Sequence, residues 1–120
     1  MAVRAIRGAI QLDVDEREHL LASTRELVTE LLRANALPTD DLISMVFTVT
    51  ADLRSEFPAL AARELGLGDV PLLCTTEIDV PGAMPRVLRL LAHVETSLTR
   101  ADLRHVYLRG AAALRTDLPQ

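Results

Sequence analysis

The stretch that decides the fold is RVLRLLAHVE, residues 86–95. Apolar residues occupy both its odd and its even positions, which is typical of a central strand that is covered on two faces. The pattern alone leaves a helix open, because a short continuous apolar run fits either structure. Arg89 stands inside this run, and burying an unpaired guanidinium costs several kcal/mol. Arg89 therefore requires an anion, either a ligand or a structural partner among Glu77, Asp79 and Glu95.

The segments around this run predict one domain over residues 1–120, of the α+β or α/β class, with a mixed sheet and helices on one face. A strand over residues 2–11 shows alternation, and a long helix follows, with Asp13 or Asp15 as its N-cap and its end near residue 36. The remaining predicted elements are strands at 42–50, 70–76 and 105–108, a short helix from Pro58 to Leu65 that Gly66 ends, an irregular loop at 79–85 and a helical turn at 99–103.

Composition excludes several classes of protein. The 120 residues carry a net charge of −4 without a basic block, and Phe47, Phe57 and Tyr107 are the only aromatic residues. Binding to nucleic acid or to an anionic membrane is therefore disfavoured. One cysteine, Cys74, excludes an intrachain disulfide and argues against a Cys-based zinc site. The N-terminus lacks a signal-peptide hydrophobic region, so we expect a cytoplasmic protein.

The cationic side chains are all arginines, thirteen of them with no lysine. Guanidinium groups bind carboxylates bidentately, so any anionic ligand must be held in this way. Arg7 shares its predicted strand face with Ala5 and Ala9, whose small side chains leave room for a ligand. Arg7 and Arg89 in one small sheet suggest a dicarboxylate or phosphate ligand, while a structural salt bridge remains an equally open explanation for Arg89.

Six further motifs along the chain carry a resemblance to one known family. They are VRAIRGA at 3–9, TADLRSEFPA at 50–59, AREL at 62–65, PLLCTTEIDV at 71–80, RHVYL at 104–108 and ALRTDL at 113–118, with Arg89 between the fourth and the fifth. Together they make the chain similar to the AroH class of chorismate mutases over nearly its whole length.

The resemblance implies a homotrimer with a pseudo-α/β-barrel core and active sites at the subunit interfaces. It implies the Claisen rearrangement of chorismate to prephenate in aromatic amino-acid biosynthesis, with no cofactor and no metal. Arg7 and Tyr107 would hold the side-chain carboxylate of chorismate, and Arg89 would contact that carboxylate and the breaking ether oxygen. Glu77 and Cys74 would bind the ring hydroxyl. The resemblance also implies ring-wall residues Phe57, Ala59, Leu73 and Leu114, and cleft-mouth residues Arg63 and Arg115.

Two positions depart from what the resemblance implies. Leu60 stands where the class has a lysine near the cleft mouth, which weakens electrostatic capture of a dianion. Strand alternation from Cys74 puts Glu77 on the opposite face, so a bulge near Thr76 is needed if both line one cleft. Two alternatives remain: an enamine or imine deaminase resembling the RidA group, and a non-catalytic trimer that binds a shikimate-pathway metabolite.

Overall fold

The computed structural model describes residues 1–116, which form a five-stranded mixed sheet. Within this range no helix combines the length and the hydrophobicity that crossing a membrane requires. The strands and helices, in chain order, are β1 (Ala2–Gln11), α1 (Arg17–Ala34), β2 (Leu42–Val49), α2 (Pro58–Ala62), β3 (Leu72–Thr76), β4 (Val87–Thr96) and β5 (Val106–Leu108). Short 3₁₀ turns occupy Thr39–Asp41, Arg100–Asp102 and Arg109–Leu114.

The sheet has the order β3-β2-β4-β1-β5, which places the apolar run at its centre. β4 pairs antiparallel with β1 along its full length and antiparallel with β2 on its other side. The outer strands β3 and β5 pair parallel with β2 and β1. The mixed sheet and the central strand are confirmed, and the helical alternative for residues 86–95 is wrong.

The main core lies between the sheet and the helices α1 and α2. Alternate residues of β4 face it, and Leu88, Leu90, Ala92 and Val94 are almost fully buried there. Gly8 allows α1 to approach β1 closely, because a Cβ at this position would lie 3.1 Å from the Leu27 Cδ1 atom. The helices therefore cover one face of the sheet, as predicted.

The other face of the sheet, here called the open face, corrects the expectation of a doubly covered strand. Leu91 of β4 is exposed on it, and so are Val3 of β1 and Leu73 of β3. Apolar residues on both faces of a strand indicate that both faces are buried in the functional protein. They do not indicate whether the same chain or another chain covers each face. In this single chain only the helix-facing side is fully covered.

The start of α1 also differs from prediction, because the N-cap is Glu16 rather than Asp13 or Asp15. The Glu16 carboxylate accepts hydrogen bonds from the backbone N–H groups of Glu18 and His19. Asp15 instead accepts from the backbone N–H groups at positions 54 and 55, which ties the helix entrance to the loop after β2. The sequence pattern predicted the start of α1 correctly, but it did not predict which carboxylate caps the helix.

Other boundaries moved by a few residues. α1 ends at Ala34, and the helix that begins at Pro58 ends at Ala62 and passes into a wide turn over Arg63–Leu67. Gly66 has a φ angle of 91° in this turn, a conformation that favours glycine. Gly66 therefore breaks the helical backbone inside this turn, but α2 already ends at Ala62, before the predicted end at Leu65.

We expect Glu16→Ala to lower the free energy of unfolding by about 1 kcal/mol, because two backbone donors of α1 lose their acceptor. Asp13→Ala is the matched control, since Asp13 is exposed and does not cap the helix, and it should cost less than about 0.5 kcal/mol. Urea denaturation followed by circular dichroism measures both. Equal losses for the two variants would contradict the assignment of the cap.

Candidate active site

The open face brings the predicted arginines into neighbouring rows of the sheet. Arg89 lies opposite Thr48 on β2 and Ala9 on β1, and Ala9 in turn lies opposite Tyr107 on β5. Arg7 lies two residues along β1 from Ala9, so it is a diagonal neighbour of Arg89 on the same face. The sheet register thus places both cations and Tyr107 on one surface.

Arg89 forms an ion pair with Glu77, the first of its three predicted structural partners. The Arg89 Nε atom lies 2.7 Å from Glu77 Oε1, and the two side chains are 41% and 18% exposed. Among residues 1–116 the ion pair of Arg89 uses this Nε atom, which leaves Nη1 and Nη2 for a ligand. The guanidinium therefore meets Glu77 at Nε and presents its two terminal nitrogens to a ligand.

Glu77 is itself held by a hydrogen bond from β2. The Thr48 hydroxyl donates a hydrogen bond of 2.6 Å to the same Oε1 atom that Arg89 contacts. The backbone N–H of Glu77 donates to the carbonyl of Val49, which extends the β2–β3 pairing by one residue. Within residues 1–116 both side-chain contacts of Glu77 fall on Oε1, and Oε2 accepts no hydrogen bond.

A cleft of about 570 Å³ opens beside this ion pair, and we call it the Arg89 cleft. The chain that leaves β3 after Glu77 forms one wall, and Leu114 closes another side. The lining residues are Thr50, Ala51, Asp52, Glu77, Ile78, Asp79, Val80, Pro81, Gly82, Ala83, Met84, Pro85, Arg89 and Leu114. Three predicted site residues, Arg89, Glu77 and Leu114, therefore meet in one cleft.

Cys74 lies on the opposite side of the sheet from Glu77. Its partner in the register is Phe47, which is fully buried in the main core, and Cys74 packs against that core. Glu77 is three residues further on and contacts Arg89 on the open face. Strand alternation therefore continues to Glu77 without the bulge that a shared cleft within one chain needs.

A second cleft, the Phe57 cleft, gathers other predicted residues at the junction of β3 and the loop before α2. It has a volume of about 340 Å³, and Phe57 and Cys74 line it. Phe57 is 68% exposed, whereas Ala59 is buried in the core behind it and Arg63 is exposed on the wide turn. The sheet separates Cys74 from the Arg89 cleft, and the two clefts have no lining residue in common.

Tyr107 belongs to a small apolar cluster on the open face. It is 7% exposed and packs with Ala9, Val87 and Ala111, with Leu114 at the edge. Leu73, in contrast, is exposed on the open face opposite Val46. The residues of the ALRTDL motif beyond Thr116 lie outside the described part of the chain.

The sequence analysis did not identify Asp52, whose carboxylate fixes the end of the loop between β3 and β4. Asp52 accepts from the backbone N–H of Arg86 through both carboxylate oxygens, at 3.2 and 3.0 Å, and accepts a third bond from the Thr50 hydroxyl. Arg86 has a φ angle of 54°, which is unusual for a residue with a side chain, and its Nε donates to the carbonyl of Leu12. The positive φ has no sequence signature, because arginine does not favour it.

A second missed group anchors the segment that carries Leu114. Arg109 also has a φ angle of 54°, and it begins the 3₁₀ turn Arg109–Leu114. Its Nη1 atom donates to the buried Ser23 hydroxyl, and its Nη2 atom lies 3.4 Å from the Glu26 carboxylate. This clamp joins the segment to α1.

His105 supports the backbone of Arg7. The Arg7 N–H donates to His105 Nδ1 at 3.0 Å, so this nitrogen is unprotonated. Burial, together with the guanidinium charges of Arg7 and Arg115, holds the pKa of His105 below its ordinary value of 6.5. His105 thus stays neutral beside two cations at neutral pH.

Within residues 1–116 no three His, Cys, Asp or Glu side chains converge in a way that could hold a metal ion.

Comparison with known proteins identifies the family. The family model for chorismate mutase type I matches residues 3–118. The chain belongs to this family. Relatives named chorismate mutase AroH occur in Thermus thermophilus, 49% identical over 97% of this chain and 96% of the relative, and in Bacillus subtilis, 37% identical over 98% and 94%. The resemblance found in the motifs is confirmed.

A solved structure supports the fold of this mutase. A chorismate mutase from Clostridium thermocellum superposes with a TM-score of 0.90 at 43% identity, covering 92% of this chain and 98% of that one. Neither alternative, an enamine deaminase or a non-catalytic binding protein, gains support from these relatives.

We expect the imidazole of His105 to titrate below pH 6.5. Because folding lowers this pKa, the unfolded chain binds the proton more tightly, and the free energy of unfolding falls as the pH drops from 6.5 to the folded-state value. Proton NMR titration of the imidazole and urea denaturation between pH 5 and 7.5 measure the two effects. His105→Gln assigns the resonance and should flatten this part of the stability profile, and a midpoint at or above 6.5 would contradict the prediction.

Proposed function

We propose that this chorismate mutase rearranges chorismate to prephenate at the Arg89–Glu77 pair, in a cleft completed by a second subunit. The observation that carries the proposal is the ion pair itself, in which a guanidinium and a carboxylate lie side by side and both line one cleft. The family supplies the reaction, and these two side chains supply a place for it.

The reaction demands little covalent chemistry. A [3,3]-sigmatropic rearrangement breaks the ether C–O bond and forms a C–C bond within one molecule, so it needs no nucleophile, proton transfer or redox group. It needs a compact substrate conformer and charges placed where charge develops. As the C–O bond lengthens, negative charge grows on the ether oxygen and the ring becomes electron-poor.

The ion pair matches this separation of charge. The terminal nitrogens of Arg89 are free to donate to the ether oxygen and to the side-chain carboxylate, while Glu77 Oε2 is free to accept from the ring hydroxyl. Glu77 also holds the guanidinium in one orientation, so little reorganisation is required when charge develops. In this assignment Arg7 and Tyr107 hold the side-chain carboxylate, since they flank Arg89 on the open face, and Leu114 walls the ring.

The second half of the site is assigned to a neighbouring subunit. Phe57, Cys74 and Arg63 lie on the far side of the sheet from Arg89, so one chain cannot bring the two groups together. The open face carries exposed Val3, Leu73 and Leu91, an apolar surface typical of an interface. A homotrimer that closes a pseudo-barrel around three open faces places the Phe57 cleft of one chain against the Arg89 cleft of the next.

The other assignments follow from this arrangement. Ala59 supports the ring wall from beneath Phe57, Leu73 extends the wall on the open face, and Arg115 lies at the cleft mouth. The cytoplasm is the proposed location of the reaction.

Arg89→Lys and Arg89→Ala are expected to fold and to lose most of the turnover. Lysine offers one hydrated point charge, which cannot bond Glu77 and the ether oxygen in a fixed geometry. The barrier should rise by about 3–5 kcal/mol, comparable to or above the loss of an oxyanion-hole donor. Loss of chorismate absorbance, followed by acid conversion of prephenate to phenylpyruvate, measures the rate.

Wild-type rates in Arg89→Ala would remove Arg89 from the mechanism. Exposed Arg33→Ala, on α1, is the matched control and should keep full activity, since its guanidinium pairs only with Glu30 in the described structure. If the wild-type protein binds chorismate without forming prephenate, the chain is a metabolite-binding member of the family instead of a catalyst.

Mixed trimers test the shared site. Phe57→Asp and Arg89→Ala chains should each be inactive alone, but a mixed trimer contains one site with both intact halves, so it regains up to about one third of the activity. Co-expression with two affinity tags isolates the mixed species, and analytical ultracentrifugation gives the mass. Inactive mixed trimers, or a fully active monomer, would overturn the interfacial site.

A further inference from the structure

We propose that Thr48 is a positioning residue for catalysis, whose hydroxyl holds Glu77 so that one carboxylate oxygen stays directed at the substrate. The inference rests on the role proposed for Glu77. Thr48 is not among the residues that the sequence motifs single out, and its side chain reaches the substrate site only through Glu77.

The sheet register fixes the geometry of this contact. Thr48 lies opposite Arg89 on one side and Thr75 of β3 on the other, so its side chain shares the open face with the ion pair. Glu77 follows the last residue of β3, where the chain turns away from the sheet. Its position thus depends on side-chain contacts as well as on the ladder bond to Val49.

The two contacts at Glu77 Oε1 differ in kind, since Arg89 makes an ion pair and Thr48 donates a hydrogen bond. Arg89 Nε lies 2.7 Å from this oxygen and the Thr48 hydroxyl 2.6 Å. An ion pair without a directed hydrogen bond leaves a carboxylate free to rotate about its last torsion angle, which is broad and roughly two-fold. The hydrogen bond from the Thr48 hydroxyl restricts this rotation, so Thr48 limits the orientations that the Glu77 carboxylate can take.

This restraint matters most when substrate arrives. The anionic groups of chorismate attract the terminal nitrogens of Arg89 and weaken the attraction between the guanidinium and Glu77. The Thr48 bond does not involve the substrate, so it keeps Glu77 beside Arg89 Nε while the terminal nitrogens bind the ligand. Thr48 thereby allows one carboxylate to serve two purposes, orienting Arg89 and accepting the ring hydroxyl.

The test is a double-mutant cycle between Thr48→Val and Glu77→Gln, with kcat and KM measured for chorismate. Valine keeps the β-branched shape and removes the hydroxyl, so the fold should persist. We expect Thr48→Val to lower kcat by about tenfold with a smaller change in KM, since a hydrogen bond to a charged group is lost. Thr48→Ser, which keeps the hydroxyl, should stay within about threefold of wild type.

In the Glu77→Gln background, Thr48→Val should cost less than about twofold, because the carboxylate that it positions is gone. Thr29→Val makes the same chemical change on the exposed side of α1 and should leave kcat unaltered.

The double-mutant cycle tests the role of Thr48 separately from the role of Glu77, on which it rests. If Thr48→Val keeps wild-type kcat while Glu77→Gln is impaired, or costs tenfold in both backgrounds, the role of Thr48 is wrong and that of Glu77 stands. If Glu77→Gln turns over at the wild-type rate, the assignment of Glu77 falls and that of Thr48 with it.

Discussion

The guanidinium of Arg89 stands in the central strand of the sheet, and the rest of the site depends on how its charge is satisfied. Glu77 meets it at Nε, at 2.7 Å, and Thr48 meets Glu77 at the same oxygen. A half-exposed ion pair contributes little to stability, since its attraction is offset by desolvation and screened by water. The ion pair matters for orientation, because it positions both side chains at the cleft. The terminal nitrogens of Arg89 and the second carboxylate oxygen of Glu77 then remain for a ligand.

The two faces of the sheet divide the work of the chain. On one face, aliphatic residues of all the central strands pack against α1 and α2, and this core supplies the hydrophobic stabilisation. The other face carries Arg7, Arg89, Tyr107 and exposed aliphatic side chains. Packing that face against copies of the same chain would remove its apolar side chains from water and would also complete the clefts. In this proposal the trimer and the active sites therefore form together.

Much of the fold was readable from the sequence, because period-two alternation and turn residues mark the strands directly. Arg7 and Arg89 stood out because a charge inside an apolar pattern has few explanations. Three features could not be predicted. What covers the open face depends on other chains, and the choice of Glu16 as N-cap depends on the conformation of the turn before α1. Asp52 and Thr48 have no distinctive sequence pattern, and only the folded structure brings them to Arg86 and Glu77.

The left-handed backbone of Arg86 has a consequence for how the cleft is prepared. A non-glycine residue in this conformation costs roughly 1–3 kcal/mol, and here the Asp52 carboxylate and the carbonyl of Leu12 offset that cost. The Arg86 end of the loop between β3 and β4 is therefore held in place by contacts within the folded chain. The conformational entropy of fixing this end is lost on folding, so substrate binding does not have to supply it.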